Sequence, residues 1–180
     1  MYESWIHMKI REAKAKDIAG IAKVHLECWN STYSNIICKE YLKSITLEKR
    51  VNLWRQNFEL GNYILIAENE SNQVVGFVDT DYKNLFSAND TKVTSMYILE
   101  DYQGFGLGKQ LLKEILIHLH KSGYTKVYVE VLTENKSKNF YQHFGATKVV
   151  EKEITIGRQK ISETIYVWHD LYNSIEKLSK

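Results

Sequence analysis

The chain has 180 residues, 44% of them hydrophobic, which is enough to bury one sizeable core and gives no reason to expect a second domain. Its 24 basic and 22 acidic residues leave a formal charge of +2 without a basic block, so nucleic acid is not expected as a partner. Two cysteines outside any CxxC pair, and no apolar run near the roughly 20 residues of a membrane span, predict a cytoplasmic protein with reduced thiols, no metal and no membrane contact.

The first half of the sequence predicts strands and helices within one domain over residues 1–180, with residues 1–7 interpreted as an extension. Apolar residues at helical spacing follow Asp17, which is expected to cap that helix. The turn-rich segment from Asn69 to Asn72 separates two strand-like runs and indicates a hairpin. The other elements predicted here are a strand over Ile6 to Ala13, a helix over Thr46 to Phe58, and strands over Tyr63 to Glu68 and Gln73 to Lys83.

The second half continues this alternation of strands and helices. A helix that starts at Leu107 carries a broad apolar stripe and is expected to lie against a sheet, with Gly123 placed to end it. The remaining predicted elements are strands over Val93 to Leu99, Lys126 to Leu132, Lys148 to Ile156 and Ile161 to Leu171, and a short helix over Lys136 to Phe144.

Three glycines, Gly104, Gly106 and Gly108, fall within five positions between a predicted strand and the long helix. A helix N-terminus presents unpaired backbone N–H groups and the positive end of the helix dipole, so this turn predicts an anion site, most naturally for a phosphate. A dinucleotide fingerprint would need a small residue in place of Lys109, and a Walker A loop would need a glycine in place of Gln103. The spacing therefore favours neither NAD nor ATP.

The pattern Q-x-x-G-x-G, formed by Gln103, Gly106 and Gly108 after a strand that ends at Leu99, resembles the acetyl-CoA pyrophosphate loop of the GNAT superfamily of N-acetyltransferases. The order of the predicted elements is also the GNAT order. The resemblance implies an α/β (α+β) fold with a central mixed, mostly antiparallel, seven-stranded twisted sheet. About four helices are expected to flank this sheet, which should be splayed between strands 4 and 5.

The same resemblance implies acetyl-CoA as the cosubstrate and no metal. In the family, the cofactor enters where two parallel strands separate, and its amides complete the unpaired backbone groups there. The cofactor-binding residues implied in this way are Met96, Tyr97 and Ile98 on the strand, Gln103, Gly104, Phe105, Gly106, Leu107, Gly108 and Lys109 in the loop, and Asn135 and Tyr141 beyond it. The Lys109 side chain either adds a charge to the phosphate site or stays in solvent.

The segment from Asn135 to Gly145 resembles a second family motif, although its stretch from Asn135 to Tyr141 is one residue shorter than the commonest form. The resemblance makes Tyr141 the general acid, because a phenol can protonate the leaving thiolate. The alternative is that Tyr141 is one ring of a packing face. The resemblance also implies Glu130 as the general base, with a solvated strand carboxylate as the other interpretation and a water relay as the substitute base.

For the acceptor, the family resemblance places the first helix and the following loop beside the substrate cleft. Trp29 and Tyr33 are therefore predicted to flank an amine, whereas Trp54 is better interpreted as core. Asp79 is predicted to attract a cationic substrate, with a plain surface carboxylate as the alternative. The expected acceptor is a small-molecule amine or a protein N-terminus or lysine, and a homodimer is left open.

The predicted function is transfer of an acetyl group from acetyl-CoA to a primary amine by direct attack in a ternary complex, since neither cysteine lies where an acyl-enzyme nucleophile would be expected. The alternative is a catalytically silent module that binds acetyl-CoA or another acyl-CoA as a sensor or scaffold. Replacing Tyr141 by Phe separates the two hypotheses, because only an enzyme has turnover to lose.

Overall fold

The computed structural model describes residues 8–82, 87 and 89–180. Within these ranges, one sheet is formed by β1 (Lys9–Glu12), β2 (Ile64–Glu68), β3 (Val74–Thr80), β4 (Asp90–Ile98), β5 (Lys126–Leu132), β6 (Thr147–Ile156) and β7 (Gln159–Trp168). The α-helices are α1 (Ile18–Tyr33), α2 (Lys39–Ser44), α3 (Leu47–Glu59), α4 (Leu107–Lys121), α5 (Ser137–His143) and α6 (Leu171–Ser179).

The sheet has the strand order β1-β2-β3-β4-β5-β7-β6. Strands β4 and β5 pair in parallel, and the other neighbouring strands pair antiparallel. The pairing of β4 with β5 ends at Val93 and Val129, but β4 continues beside β3 as far as the pair of Gly76 with Ile98. Among the described residues, the backbone of β4 beyond Val93 therefore has no strand partner on its β5 side. This separation confirms the predicted mixed sheet splayed between strands 4 and 5.

Helices cover both faces of the sheet, and a hydrophobic core lies on each face. On one face, α4 packs its apolar stripe against the valines of β5, and each buried Leu or Ile is worth about 1.5–3 kcal/mol relative to full exposure. The stripe consists of Leu107, Leu111, Leu112, Ile115, Leu116 and Leu119, all exposed by 2% or less. On the opposite face, α1 and α3 bury Ile21 and Trp54 against Ile66 and Phe77. The gap between β4 and β5 is therefore bordered by helices on both faces of the sheet.

The structure departs from the predicted elements at several boundaries. The last strand ends at Trp168 and not at Leu171, which begins α6 because the Asp170 carboxylate accepts a hydrogen bond from the Asn173 N–H at 3.0 Å. The short helix α2, like α6, was not predicted from the sequence. The Asp17 side chain does not cap α1, since it accepts hydrogen bonds from the Arg11 guanidinium. Residues 1–7, including the predicted extension and the start of the predicted first strand, lie outside the described residues, as does Lys83.

Candidate active site

A cavity of about 100 Å³ occupies the gap between the separating strands, and we call it the wedge cavity. Its walls come from α1, β4, β5 and the start of α5. Eight predicted site residues lie around it: Tyr33, Met96, Tyr97, Ile98, Gln103, Glu130, Asn135 and Tyr141. The topology therefore brings together residues that are more than 100 positions apart in the sequence.

A larger opening of about 490 Å³, which we call the donor groove, runs from the wedge cavity along the N-terminus of α4. Phe140 of α5 and Phe144, the residue that follows this helix, form its apolar wall. The predicted residues that line it are Met96, Ile98, Gln103, Gly104, Gly106, Gly108, Lys109 and Tyr141. Tyr141 thus borders both spaces.

The glycine loop has the backbone that an anion site requires. Gly104 and Gly106 adopt φ angles of 82° and 79°, in the left-handed region that favours glycine, and α4 begins directly afterwards. None of the amides from Gly104 to Lys109 has a backbone acceptor among the residues that the structure describes. They form a run of free donors at the positive end of the α4 dipole.

Gln103 differs from the expectation for this loop. Its backbone N–H donates to the Glu100 carbonyl at 3.0 Å, so this amide does not belong to the cradle of free donors. Its side-chain Nε2 donates to the Ile98 carbonyl at 2.8 Å and ties the loop to the end of β4. Phe105 is 65% exposed and Leu107 is buried in the core, and neither residue lines the donor groove.

Tyr141 lies on α5 and is 6% exposed. Its ring meets Phe140 and Trp168 edge-on, at centroid distances of 5.5 and 5.7 Å, so it also serves as a packing residue. Burial, with a smaller contribution from Tyr33, raises the pKa of Tyr141 well above the value near 10 expected from the sequence. The phenol is therefore protonated throughout the physiological range.

Three further polar side chains connect α1, β4 and α5 around the wedge cavity. The hydroxyl oxygens of Tyr33 and Tyr97 lie 3.3 Å apart, and the Asn135 Nδ2 donates to the Tyr33 hydroxyl at 3.3 Å. The Asn135 Oδ1 accepts from the Ser137 N–H at 2.9 Å and fixes the start of α5. The Asn135 amide is thus engaged within the protein, and its predicted contact with the cofactor stays a prediction.

Two carboxylates approach the wedge cavity. Glu130 lines it directly and pairs with two ammonium groups, Lys92 Nζ at 3.3 Å and Lys152 Nζ at 3.4 Å. Asp79 lies one layer behind, where it accepts a hydrogen bond from the Ser95 hydroxyl, and Ser95 lines the cavity. Burial raises the pKa of Asp79 to about 7 against the opposing effect of the Ser95 bond. Asp79 is completely buried, so the surface interpretation of this residue is wrong.

Of the two aromatic residues predicted to flank an acceptor amine, Tyr33 lines the wedge cavity and Trp29 does not, so their contact with an acceptor stays a prediction. A charged residue beside them, Arg50, was missed by sequence reasoning. The rings of Trp29 and Tyr33 are 4.5 Å apart, and the Arg50 Cζ lies 4.7 Å above the Trp29 ring. Trp54 is fully buried and donates to His25 Nδ1 at 3.2 Å, which confirms its interpretation as core. A signal for Arg50 exists in the sequence, because this residue interrupts the apolar stripe of α3 between Leu47 and Trp54 at helical spacing.

Within the described ranges, no three His, Cys, Asp or Glu side chains converge as metal ligands would. A search of the same residues finds no helix with the length and apolarity needed to span a membrane.

In this chain, the parallel strands β4 and β5 separate beside a glycine-rich loop that leads into α4. This arrangement is typical of acyltransferases that bind coenzyme A thioesters. The family described as "Acetyltransferase (GNAT) domain" matches residues 31–159. The chain therefore belongs to the GNAT acetyltransferase family. This membership confirms the family predicted from the glycine loop, and it confirms acetyl-CoA as the cosubstrate predicted from that resemblance.

Relatives extend the similarity over most of the chain. It is 31% identical over 163 residues to the uncharacterized N-acetyltransferase YuaI of Bacillus subtilis (strain 168), covering 90% of this chain and 93% of the relative. It is 24% identical over 140 residues to the L-amino acid N-acyltransferase MnaT of Escherichia coli (strain K12), covering 77% and 78%. A crystal structure of the PaiA N-acetyltransferase from Thermoplasma acidophilum in complex with coenzyme A shares the fold with a TM-score of 0.68 and 24% identity, covering 88% of this chain and 98% of that one.

Proposed function

We propose that this protein transfers the acetyl group of acetyl-CoA to a primary amine by direct attack in a ternary complex. The observation that carries the proposal is the meeting of the donor groove and the wedge cavity at the Tyr141 side chain. A donor bound in the groove and an acceptor that enters from the α1 side would thus react beside a single protonated phenol.

The residues of the donor groove fit acetyl-CoA, which supplies a thioester carbonyl for attack. The free amides from Gly104 to Lys109 would hold the pyrophosphate, and the unpaired backbone of β4 around Met96 would bind the amides of the pantetheine arm. The apolar wall formed by Phe140 and Phe144 would exclude water from this arm. These roles are assigned from the fit of the groove to the donor.

The chemistry requires two proton transfers. As the nitrogen–carbon bond forms and the carbon–sulfur bond breaks, the amine loses a proton and the thiolate gains one. Tyr141 would donate to the sulfur and recover its proton from solvent. Burial raises the pKa of Tyr141, which keeps the phenol protonated before the reaction but also makes it a weaker acid toward the thiolate.

Two carboxylates are candidates for accepting the amine proton. Glu130 lines the wedge cavity, although Lys92 and Lys152 already occupy its two oxygens. Asp79 has a pKa raised to about 7, and Ser95 could relay a proton to it from the cavity. A carboxyl group with a pKa near 7 is ionised in about half of the molecules at neutral pH and still binds a proton well. This observation supports Asp79 as a candidate base beside Glu130.

The first experiment measures thermal stabilisation of the purified protein by acetyl-CoA beside NAD and ATP at equal concentration. A ligand at 100 times its dissociation constant adds about 2.7 kcal/mol to the free energy of unfolding. We expect a shift with acetyl-CoA alone, followed by amine-dependent thiol release in a panel of acceptors. Stabilisation without thiol release from any amine would instead favour the silent acyl-CoA-binding module.

A further inference from the structure

Among the residues that the structure describes, Arg50 is a buried cation without an anionic partner. It lies on α3 with 9% of its surface exposed, and its Nε and Nη2 atoms are buried and have no hydrogen-bond acceptor within the described ranges. No ion pair among the described residues includes it. A guanidinium in this state has lost its water without gaining a carboxylate, which is an unfavourable arrangement.

A second donor in the same corner is also unpaired. The Trp29 Nε1 is buried and has no acceptor within the described part of the chain, and the Arg50 guanidinium lies over the face of the same ring. The unpaired atoms here are N–H donors, so a ligand that satisfies them must bring acceptor oxygens. An anion with two such oxygens matches the fork of an arginine better than any neutral group does.

The surroundings of Arg50 supply aromatic contact but no counter-charge. Its electrostatic neighbours are the phenols of Tyr33, Tyr41 and Tyr97, and the Trp29 ring partly compensates the charge through a cation–π contact. The nearby His25 is neutral, because burial and the Arg50 charge lower its pKa to about 3. No titratable group among these neighbours neutralises the guanidinium.

The position of Arg50 relates it to the proposed reaction. Tyr33 and Tyr97 line the wedge cavity and interact electrostatically with Arg50, which does not itself line that cavity. We call Trp29, Tyr33, Arg50 and Tyr97 the acceptor corner. The acceptor corner thus borders the wedge cavity through Tyr33 and Tyr97.

We propose that Arg50 binds a carboxylate of the acceptor, so that the substrate is a small amine that carries a carboxylate, with an α-amino acid as its simplest form. This inference rests on the proposed acetyl transfer to an amine and specifies the acceptor class. It disfavours polyamines, whose second ammonium group would meet the guanidinium as a like charge.

The test compares L-alanine, L-leucine and L-phenylalanine with their carboxamides and with putrescine, by thiol release from acetyl-CoA. We expect kcat/KM to be at least about tenfold higher for each acid than for its amide, because the amide leaves the guanidinium unpaired. The comparison is conservative, since amino acid amides hold more free amine at neutral pH. Amides or putrescine used as well as the acids would overturn the inference while leaving acetyl transfer intact.

Variants of α3 test whether the preference for acids over amides depends on Arg50. Arg50→Met should abolish the preference for acids by raising KM, and Arg50→Lys should restore part of it. Arg55, exposed on the same helix, provides the matched control, because Arg55→Met removes a charge without touching the corner. An acid preference that persists in Arg50→Met would contradict the assignment.

A binding measurement separates this inference from the proposed function if no amine is acetylated. N-acetyl-L-leucine, added with CoA, should raise the melting temperature of the native protein and of Arg55→Met but not that of Arg50→Met. N-acetyl-L-leucinamide should stabilise none of the three. Absence of any shift with N-acetyl-L-leucine would reject the carboxylate site independently of turnover.

Discussion

The donor groove and the acceptor corner flank the same cavity but are built by different means. The groove uses backbone: free amides, two glycines at positive φ and an unpaired strand edge. The corner uses side chains from α1, α3 and β4, and its unfavourable feature is the buried charge of Arg50, which has no anionic partner among the described residues. A site built from backbone suits a constant donor, whereas side chains can be exchanged to suit a particular acceptor.

The largest expected effect concerns Asp79, the buried carboxyl group whose hydrogen-bond partner Ser95 lines the wedge cavity. The pKa of Asp79 is about 7 in the folded protein and 3.8 for the free group, so the folded state disfavours the ionised form. Its contribution to stability is present below about pH 4 and is lost as pH rises to 7. At 1.36 kcal/mol per pKa unit, native protein should lose about 4 kcal/mol relative to Asp79→Asn between these values.

Chemical denaturation of both proteins from pH 4 to pH 8 measures this difference in the free energy of unfolding. The exposed Asp101, replaced by Asn, controls for the change in net charge. Curves for native protein and Asp79→Asn that stay parallel across this range would mean that Asp79 ionises normally. If Asp79 is also the base, Asp79→Asn should flatten the pH–rate profile near pH 7, and Glu130→Gln should leave it unchanged.

The second prediction tests Tyr141, which borders both the donor groove and the wedge cavity. Tyr141→Phe removes the proton donor but keeps the ring between Phe140 and Trp168, so kcat should fall at least about 100-fold with acetyl-CoA affinity retained. Thiol release and thermal shift measure the two quantities separately. Tyr172→Phe, on the exposed surface of α6, should change neither. A Tyr141→Phe variant with unchanged kcat would leave Tyr141 as a packing residue only.

The third prediction concerns the backbone of the donor side. Gly106→Ala forces a side chain into φ 79° and should cost about 1–2 kcal/mol of stability, with weaker acetyl-CoA binding because the loop shifts. Gly123 has a φ of 89° at the other end of α4 and nothing near its missing Cβ, so Gly123→Ala should cost similar stability with unchanged affinity. Equal affinity losses in both variants would show that the loop geometry has no special part in binding.

The fourth prediction isolates the cost of the acceptor corner. Arg50→Met replaces an unpaired buried charge by an apolar chain of similar length and should raise the free energy of unfolding by about 1 kcal/mol. The lost contact with Trp29 limits the gain. Denaturation without ligand measures it, with Arg55→Met as the reference. A clear destabilisation would indicate that Arg50 serves the fold itself.

The same contrast explains what the sequence could and could not predict. The bounds of β5 and the start of α4 agree with the prediction because alternating valines and a leucine stripe are local signals. The glycine loop is equally local. Gln103 is the exception within it, since its amide is consumed by a turn that the motif does not specify.

The acceptor side depends on tertiary contacts that no local pattern encodes. The burial of Asp79 follows from helices on both faces of β3, so a carboxylate on this strand does not lie at the surface. Arg50 is separated by 21 positions from the Trp29 ring beneath it, and only the packing of α1 on α3 brings them together. The missed helix α6, in contrast, had a local signal in Asp170, whose carboxylate caps it.

The smallest expected effect is that of Gly108→Ala, which adds a methyl group to the donor groove without straining the backbone. Gly108 lies in the first turn of α4 with helical φ, and an added Cβ would lie 3.4 Å from Ile98 Cδ1 and 3.5 Å from Phe140 Cζ, which are ordinary contacts. Because alanine is the better helix former, by up to about 1 kcal/mol, Gly108→Ala should keep or slightly raise stability.

The added methyl group of Gly108→Ala nevertheless narrows the donor groove between the loop and α5, so acetyl-CoA should bind a few-fold more weakly than to native protein. Titration with acetyl-CoA, together with unfolding in its absence, measures both quantities. Gly106→Ala should lose stability and affinity together, but Gly108→Ala should lose affinity alone. Unchanged affinity in Gly108→Ala would mean that the donor does not pass between Gly108 and Phe140, and the groove would then have to be assigned a different occupant.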